Sequence, residues 1–159
     1  MTESKQKTDF WSVSVGHIPL QTPIIVTEDT SIEATIRDMQ TKKTGCVLVI
    51  NKDKALSGIV TGRDIMEKFI ATDLAKSTPI GKFMSRKVLS LSPDTLISDV
   101  VIFLGKTSIR HIPICHNPKN ILGLLSVRNL ITFIAENLPG EVLNLPPYGE
   151  RISTETFGA

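Results

Sequence analysis

Two stretches decide the fold: Gly58-Ile59-Val60-Thr61-Gly62-Arg63-Asp64 and Gly123-Leu124-Leu125-Ser126-Val127-Arg128-Asn129. They lie 65 residues apart, and each runs from a glycine and two apolar residues to a hydroxyl, then to an acid or amide three positions later. Sliding the chain over itself by the same 65 residues, without a gap, lays Ile25 to Ile70 on Ser90 to Ala135. Asp29 then meets Asp94, Thr30 meets Thr95, Lys54 meets Lys119, Gly58 meets Gly123 and Arg63 meets Arg128. The chemistry also matches at Ile32 and Ile97, Val47 and Ile112, Thr61 and Ser126, and Asp64 and Asn129. The chain reads as a tandem duplication.

Each copy reads as β-α-β-β-α. In the first, Pro23 to Val26 is a short strand, and Thr30-Ser31-Ile32-Glu33 is a capping box opening a helix with Ile32, Ile36 and Met39 at helical spacing. Gly45 precedes the β-branched run Cys46 to Ile50, which predicts a buried strand. The polar turn Asn51 to Lys54 leads to a hairpin partner over Ala55 to Thr61, and a helix over Arg63 to Ile70 buries Ile65, Phe69 and Ile70. The second copy offers a strand over Lys87 to Ser92, a helix from Asp94 to about Thr107 and a strand over His111 to Cys115. After a turn at Asn117 to Asn120 come a strand over Ile121 to Ser126 and a helix from Val127 to about Asn137.

A copy of about 50 residues buries too little surface to stand alone. The expectation is therefore an α+β pair packed sheet to sheet with pseudo-twofold symmetry. This divides the 159 residues into an N-terminal tail (1–15), a first domain (16–74), a connector and second domain (75–138) and a C-terminal arm (139–159). Pro146-Pro147 favours an extended arm, and Leu138, Val142, Leu143 and Leu145 suit docking on the domain or on a partner; disorder from about Gly149 is the alternative.

Eighteen basic residues against sixteen acidic ones, scattered along the chain, make no single-sign stripe, and 5% aromatics offer few stacking platforms. Nucleic acid is thus a poor partner. No apolar run reaches the roughly 18–20 residues that span a bilayer, and the polar start MTESKQKTDFW lacks a signal-peptide core, so the expected location is cytoplasmic, with no membrane partner. Two cysteines make no disulfide framework. His111 and Cys115 share a strand face but stand roughly 13 Å apart, too far to share a metal, so no metal site is expected. No nucleophile elbow, phosphate loop or zinc-helix motif occurs, which predicts no catalytic residues and no enzyme.

The hydroxyl followed by an acid or amide is close to a helix capping box, and capping alone accounts for one copy of it. Capping and ligand binding are compatible, since a helix N-terminus is a ready anion site. With RHIPI (Arg110 to Ile114) and PIGKFMSRKVLSLSPDT (Pro79 to Thr95), the duplicated pattern G-h-h-[S/T]-x-x-[D/N] over about residues 16–138 resembles a pair of CBS domains, named after cystathionine β-synthase.

That resemblance implies a regulatory module binding an adenosyl ligand between the copies: AMP, ADP or ATP, or a relative such as S-adenosylmethionine or NAD. Carried over by position, a first site uses Ile59, Thr61, Arg63 and Asp64, with Val88 and Arg110 from the second copy. A second site uses Leu124, Ser126, Arg128 and Asn129, with Arg110 or His111 nearby and Thr44 and Gly45 from the first copy. The acid holds ribose hydroxyls, and the Ser or Thr with nearby basic groups holds phosphate. A carboxylate accepts from both ribose hydroxyls, whereas an amide has one acceptor oxygen, so Asp64 marks the better ribose site. The resemblance also implies a homodimer through the helices after each motif and an unidentified regulated protein. The competing reading is a ligand-free interaction module.

Overall fold

The computed structural model describes residues 10–70, 72 and 74–137. The expected C-terminal arm, and the expected tail before Phe10, lie outside them. In the first copy the β-prone runs form β1 (Ile25–Thr27), β2 (Cys46–Ile50) and β3 (Leu56–Thr61), in the sheet order β1-β2-β3. β1 is parallel to β2 and β3 is antiparallel to it, with α1 (Ile32–Thr41) as the crossover. The cap of α1 falls one residue beyond the expected Thr30: the Ser31 hydroxyl accepts from the Ala34 N–H at 3.2 Å, while Thr30 is paired with Thr27.

Strand alternation sorts the apolar residues of β2 into two layers. Val47 and Val49 join Ile32 and Met39 of α1 in the core of the copy. Cys46 and Leu48 point the other way, onto Leu124 of the second copy, with Leu56, Ile59 and Ile121 around them. This is the sheet-to-sheet contact, and burial there pushes the Cys46 thiol up to about 12.

The second copy holds α3 (Ile97–Gly105), the antiparallel hairpin of β4 (His111–Asn117) and β5 (Asn120–Ser126), and α4 (Val127–Asn137). The strand expected at Lys87 to Ser92 shrinks to one parallel bridge between Leu91 and Ile114. Its register is that of Val26 on Val49, so the duplication holds while the hydrogen bonding does not. In the first copy the Leu48 N–H donates to the Ile24 carbonyl at 2.9 Å and the Glu28 N–H to the Ile50 carbonyl at 3.3 Å. Pro113 and Pro93 occupy those two donor positions and have no N–H to give. Only the bonds from Leu91 to Pro113 (3.0 Å) and from Cys115 to Leu91 (2.9 Å) remain. The helix expected from Asp94 opens at Ile97 without a side-chain cap, because Leu96 stands where the first copy has Ser31.

The helix expected at Arg63 to Ile70 is an α-turn, α2 (Gly62–Asp64), that widens into a π-helical turn over Ile65–Phe69. Nothing in the structure explains the widening. Ile65 and Phe69 pack on the core, but Ile70 is 71% exposed rather than buried.

The segment before each first strand packs on the opposite copy. Val15 and Ile18 are buried in the core of the second copy, whereas Ile80, Phe83 and Met84 are buried in the core of the first. The bonds repeat at the 65-residue spacing: the Val15 N–H reaches the Thr95 carbonyl (2.8 Å) as the Ile80 N–H reaches that of Thr30 (2.7 Å). Each arm ends as a short bridge on the far strand, Gln21 with Leu124 and Ser85 with Ile59. Gly58 and Gly123 are glycines because the arms cross there: an added Cβ would lie 2.2 Å from Met84 Sδ and 2.6 Å from Leu20 Cβ, respectively.

Candidate functional site

The exchange leaves two clefts at the β-to-α junctions, each walled by both copies. Cleft one, about 350 Å³, is lined from the first copy by Ile59, Thr61, Gly62 and Arg63, and from the second by Lys87, Val88, Leu89 and Ser108 to His111. Cleft two, about 510 Å³, is lined by Ser126, Val127 and Arg128, and across from them by Gln21, Thr22, Ile24 and Lys42 to Gly45. Gly45, Arg110 and His111 belong to both. A Cβ at Gly45 would lie 2.9 Å from His111 Cε1, so the glycine makes room for the imidazole between the clefts. Burial, and then the charge of Arg110, lower the His111 pKa, so the ring is neutral at pH 7.

Of the residues expected at the first site, Ile59, Thr61, Arg63, Val88 and Arg110 come together at cleft one. Thr44, Gly45, Arg110, His111, Ser126 and Arg128 come together at cleft two. Leu124, Asp64 and Asn129 do not line either cavity. Leu124 is 1% exposed in the sheet-to-sheet layer. Asp64 and Asn129 sit behind the hydroxyls of their own junctions.

At the first junction the Thr61 N–H and hydroxyl donate to Asp64 Oδ2 at 2.9 and 2.7 Å, and the Asp64 N–H returns to the Thr61 hydroxyl, a full capping box. Oδ1 accepts from the Ser85 hydroxyl at 2.9 Å and pairs with Lys68 Nζ at 2.5 Å. Burial alone would raise the Asp64 pKa, but the bonds from Lys68, Thr61 and Ser85 outweigh it and hold the carboxyl below its ordinary range. At the second junction the Ser126 hydroxyl pairs with Asn129 Oδ1 and accepts the Asn129 N–H at 3.1 Å. Here Leu20 and Phe133 hold the positions of Ser85 and Lys68. A half-buried carboxylate would lack both partners at that junction, which accounts for an amide.

Lys87, Leu89, Ser108 and Ile109 at cleft one, and Gln21, Thr22, Ile24, Lys42 and Lys43 at cleft two, lie outside the motif, while Gly62 and Val127 lie inside it at positions not singled out as lining a cleft. The repeat itself carries the missing signal. Thr44, expected at cleft two, lies one repeat before Ile109 and so marks it at cleft one; Lys43 and Ser108 are equivalent in the same way, though neither is in the motif.

The CBS domain family model matches residues 15–71 and 80–136, two spans at the 65-residue spacing of the motifs and the exchanged arms. The chain belongs to the CBS domain family. Among curated CBS relatives, CBSX3, a mitochondrial CBS domain-containing protein of Arabidopsis thaliana, is 28% identical over 127 residues. The match covers 77% of this chain and 61% of CBSX3. Two solved CBS structures share the fold. CBSX2 in complex with AMP superposes with a TM-score of 0.66 at 20% identity, covering 77% of this chain and 96% of that one. The CBS pair of MJ0100, in complex with 5'-methylthioadenosine and S-adenosyl-L-methionine, gives 0.67 at 18% identity, covering 79% and 98%. Among the described residues no helix is long and apolar enough to cross a membrane.

Proposed function

We propose that this CBS pair is a regulatory module that binds an adenine nucleotide or related adenosyl ligand between its two domains and signals occupancy to a partner protein. The carrying observation is cleft one. Ile59, Val88, Leu89 and Ile109 give it apolar walls suited to a flat base, and Arg63, Lys87 and Arg110 give it a phosphate end. The adenosyl ligands of CBSX2 and MJ0100 support the same class. Because both copies wall the cleft, a ligand stabilises one relative angle of the copies over others, by as much as its affinities for the two arrangements differ. A homodimer is part of this reading. Met66 and Ile131, equivalent positions of the two units, are 68% and 60% exposed beside the junctions.

The competing reading, an interaction module that takes no ligand, draws on Asp64, whose oxygens are already engaged by Thr61, Ser85 and Lys68. Titration calorimetry and thermal unfolding with AMP, ADP, ATP, S-adenosylmethionine and NAD separate the two. A ligand at a hundredfold its Kd stabilises the fold by about 2.7 kcal/mol. Absence of heat and of any thermal shift with all five would overturn the sensor reading.

A further inference from the structure

The two clefts are unequal in charge as well as in lining. Cleft two is walled by four cations, Lys42, Lys43, Arg110 and Arg128, with no carboxylate among its lining residues. None of the four has an ion-pair partner among the described residues. At cleft one, Arg63 is paired with Glu67 at 3.6 Å, and the Asp64 carboxylate stands directly behind Thr61. The counterpart behind Ser126 is the neutral Asn129. Helix geometry adds to the contrast. The eleven residues of α4 point a helix N-terminus at cleft two, whereas α2 lasts three residues before the π-helical turn. In apolar walls the order reverses: cleft two has only Ile24 and Val127 where cleft one has Ile59, Val88, Leu89 and Ile109.

We infer that cleft two is a polyphosphate site, taking the phosphate chain of a nucleoside triphosphate or an inorganic polyphosphate, while cleft one takes the adenosyl group or a monophosphate. A triphosphate chain carries roughly four negative charges at neutral pH, which the four cations lining the cleft match; multiple charge-assisted hydrogen bonds are the strong ones. This inference rests on the reading of the clefts as ligand sites, but its probe contains no adenine.

The test is titration calorimetry with inorganic tripolyphosphate, alongside ATP and AMP. Tripolyphosphate is expected to bind with a single equivalent per chain and to weaken as salt is added. The double variant Lys42→Ala/Lys43→Asn, at exposed positions where Asn tolerates the positive φ of Lys43, is expected to weaken it by about tenfold or more. Lys119→Ala, exposed in the turn between β4 and β5 and lining neither cleft, is expected to leave it within about twofold. If the double variant is thermally damaged, Arg128→Gln carries the same expectation. ATP binding tighter than tripolyphosphate, with the same sensitivity to these variants, identifies a nucleoside triphosphate as the source; equal affinities identify the inorganic chain. No tripolyphosphate binding, or binding that ignores both the double variant and Arg128→Gln, overturns the inference even when AMP binds. Tripolyphosphate binding at cleft two with no adenylate binding sustains it and instead removes the adenosyl reading.

Discussion

Replacing Asp64 tests how the first junction is held. Asp64→Ala removes the acceptor for the Thr61 N–H and hydroxyl and for Ser85, and leaves Lys68 with only the Ser85 hydroxyl as a partner. Loss of a capping interaction costs about 0.5–2 kcal/mol, and a buried donor left unsatisfied about 1–3 kcal/mol. Lys68 adds little, because at 44% exposure it can turn to water. Together these give a loss of about 2–4 kcal/mol, or roughly 4–16 °C in Tm for a chain of this length.

Asp64→Asn should cost less. Its single oxygen can keep the Thr61 N–H, and its amide can donate to the Ser85 hydroxyl, which turns to accept. What is lost is the charge and the Lys68 pair, about 1–2 kcal/mol. The two substitutions also differ from the parent in pH dependence. The folded pKa of Asp64 is depressed, so its contribution is complete above the unfolded value of about 3.9 and is lost as pH falls through the folded value. Urea titrations of parent and variants at pH 7 and at successively lower pH, analysed at constant m, measure this. The gap between parent and Asp64→Asn should narrow on acidification. A gap that stays constant down to pH 3, or an Asp64→Ala cost below about 0.5 kcal/mol, would refute the view that the ionised network fastens the junction.

The crossing of the arms predicts unequal effects of two matched substitutions. Gly123→Ala should destabilise by about 3 kcal/mol, the upper part of the range for overpacking, because it meets Leu20 Cβ, which is fixed to the backbone; Gly58→Ala should cost about 1–2 kcal/mol because the Met84 side chain can swing away. Chemical denaturation of both decides it, and the reverse ranking would contradict the argument. For assembly, Met66→Asp with Ile131→Asp should halve the mass measured by sedimentation while leaving monomer thermal stability within about 0.5 kcal/mol, since both side chains face solvent within the chain. A parent chain that already sediments as a monomer would remove the homodimer reading.

The motifs made the duplication, the α+β class and the hairpins legible, because strand alternation and the 65-residue offset are written in side chains. The offset even places the Leu91 bridge, although the strand around it fails. Pro93 and Pro113 were in view, but the missing donors matter only once the partner carbonyls are known. Exchange of the arms left only a faint trace, the two motif glycines at the crossings, since the bridges from Gln21 and Ser85 are backbone contacts that any side chain permits. The motif offers Asp64 as a cap, which the structure shows, and as a ribose acceptor; the bond from Ser85 that engages its second oxygen depends on which arm lies alongside. Lys42 and Lys43 resemble ordinary solvated charges after a helix until the fold turns them toward Arg110 and Arg128.

Exchange of the arms also bears on how such a chain could arise. The repeated unit is an arm followed by β-α-β-β-α, and the arm completes the core of its neighbour rather than its own. A chain with one unit could close its core in this manner only by trading arms with a second chain, as a domain-swapped dimer does. Joining two such units end to end would turn that trade into an internal one, fixing the concentration of the partner and freeing the copies to differ. Asp64 with Lys68 on one side and Asn129 with Phe133 on the other would then be the divergence that a symmetric ancestor could not have held.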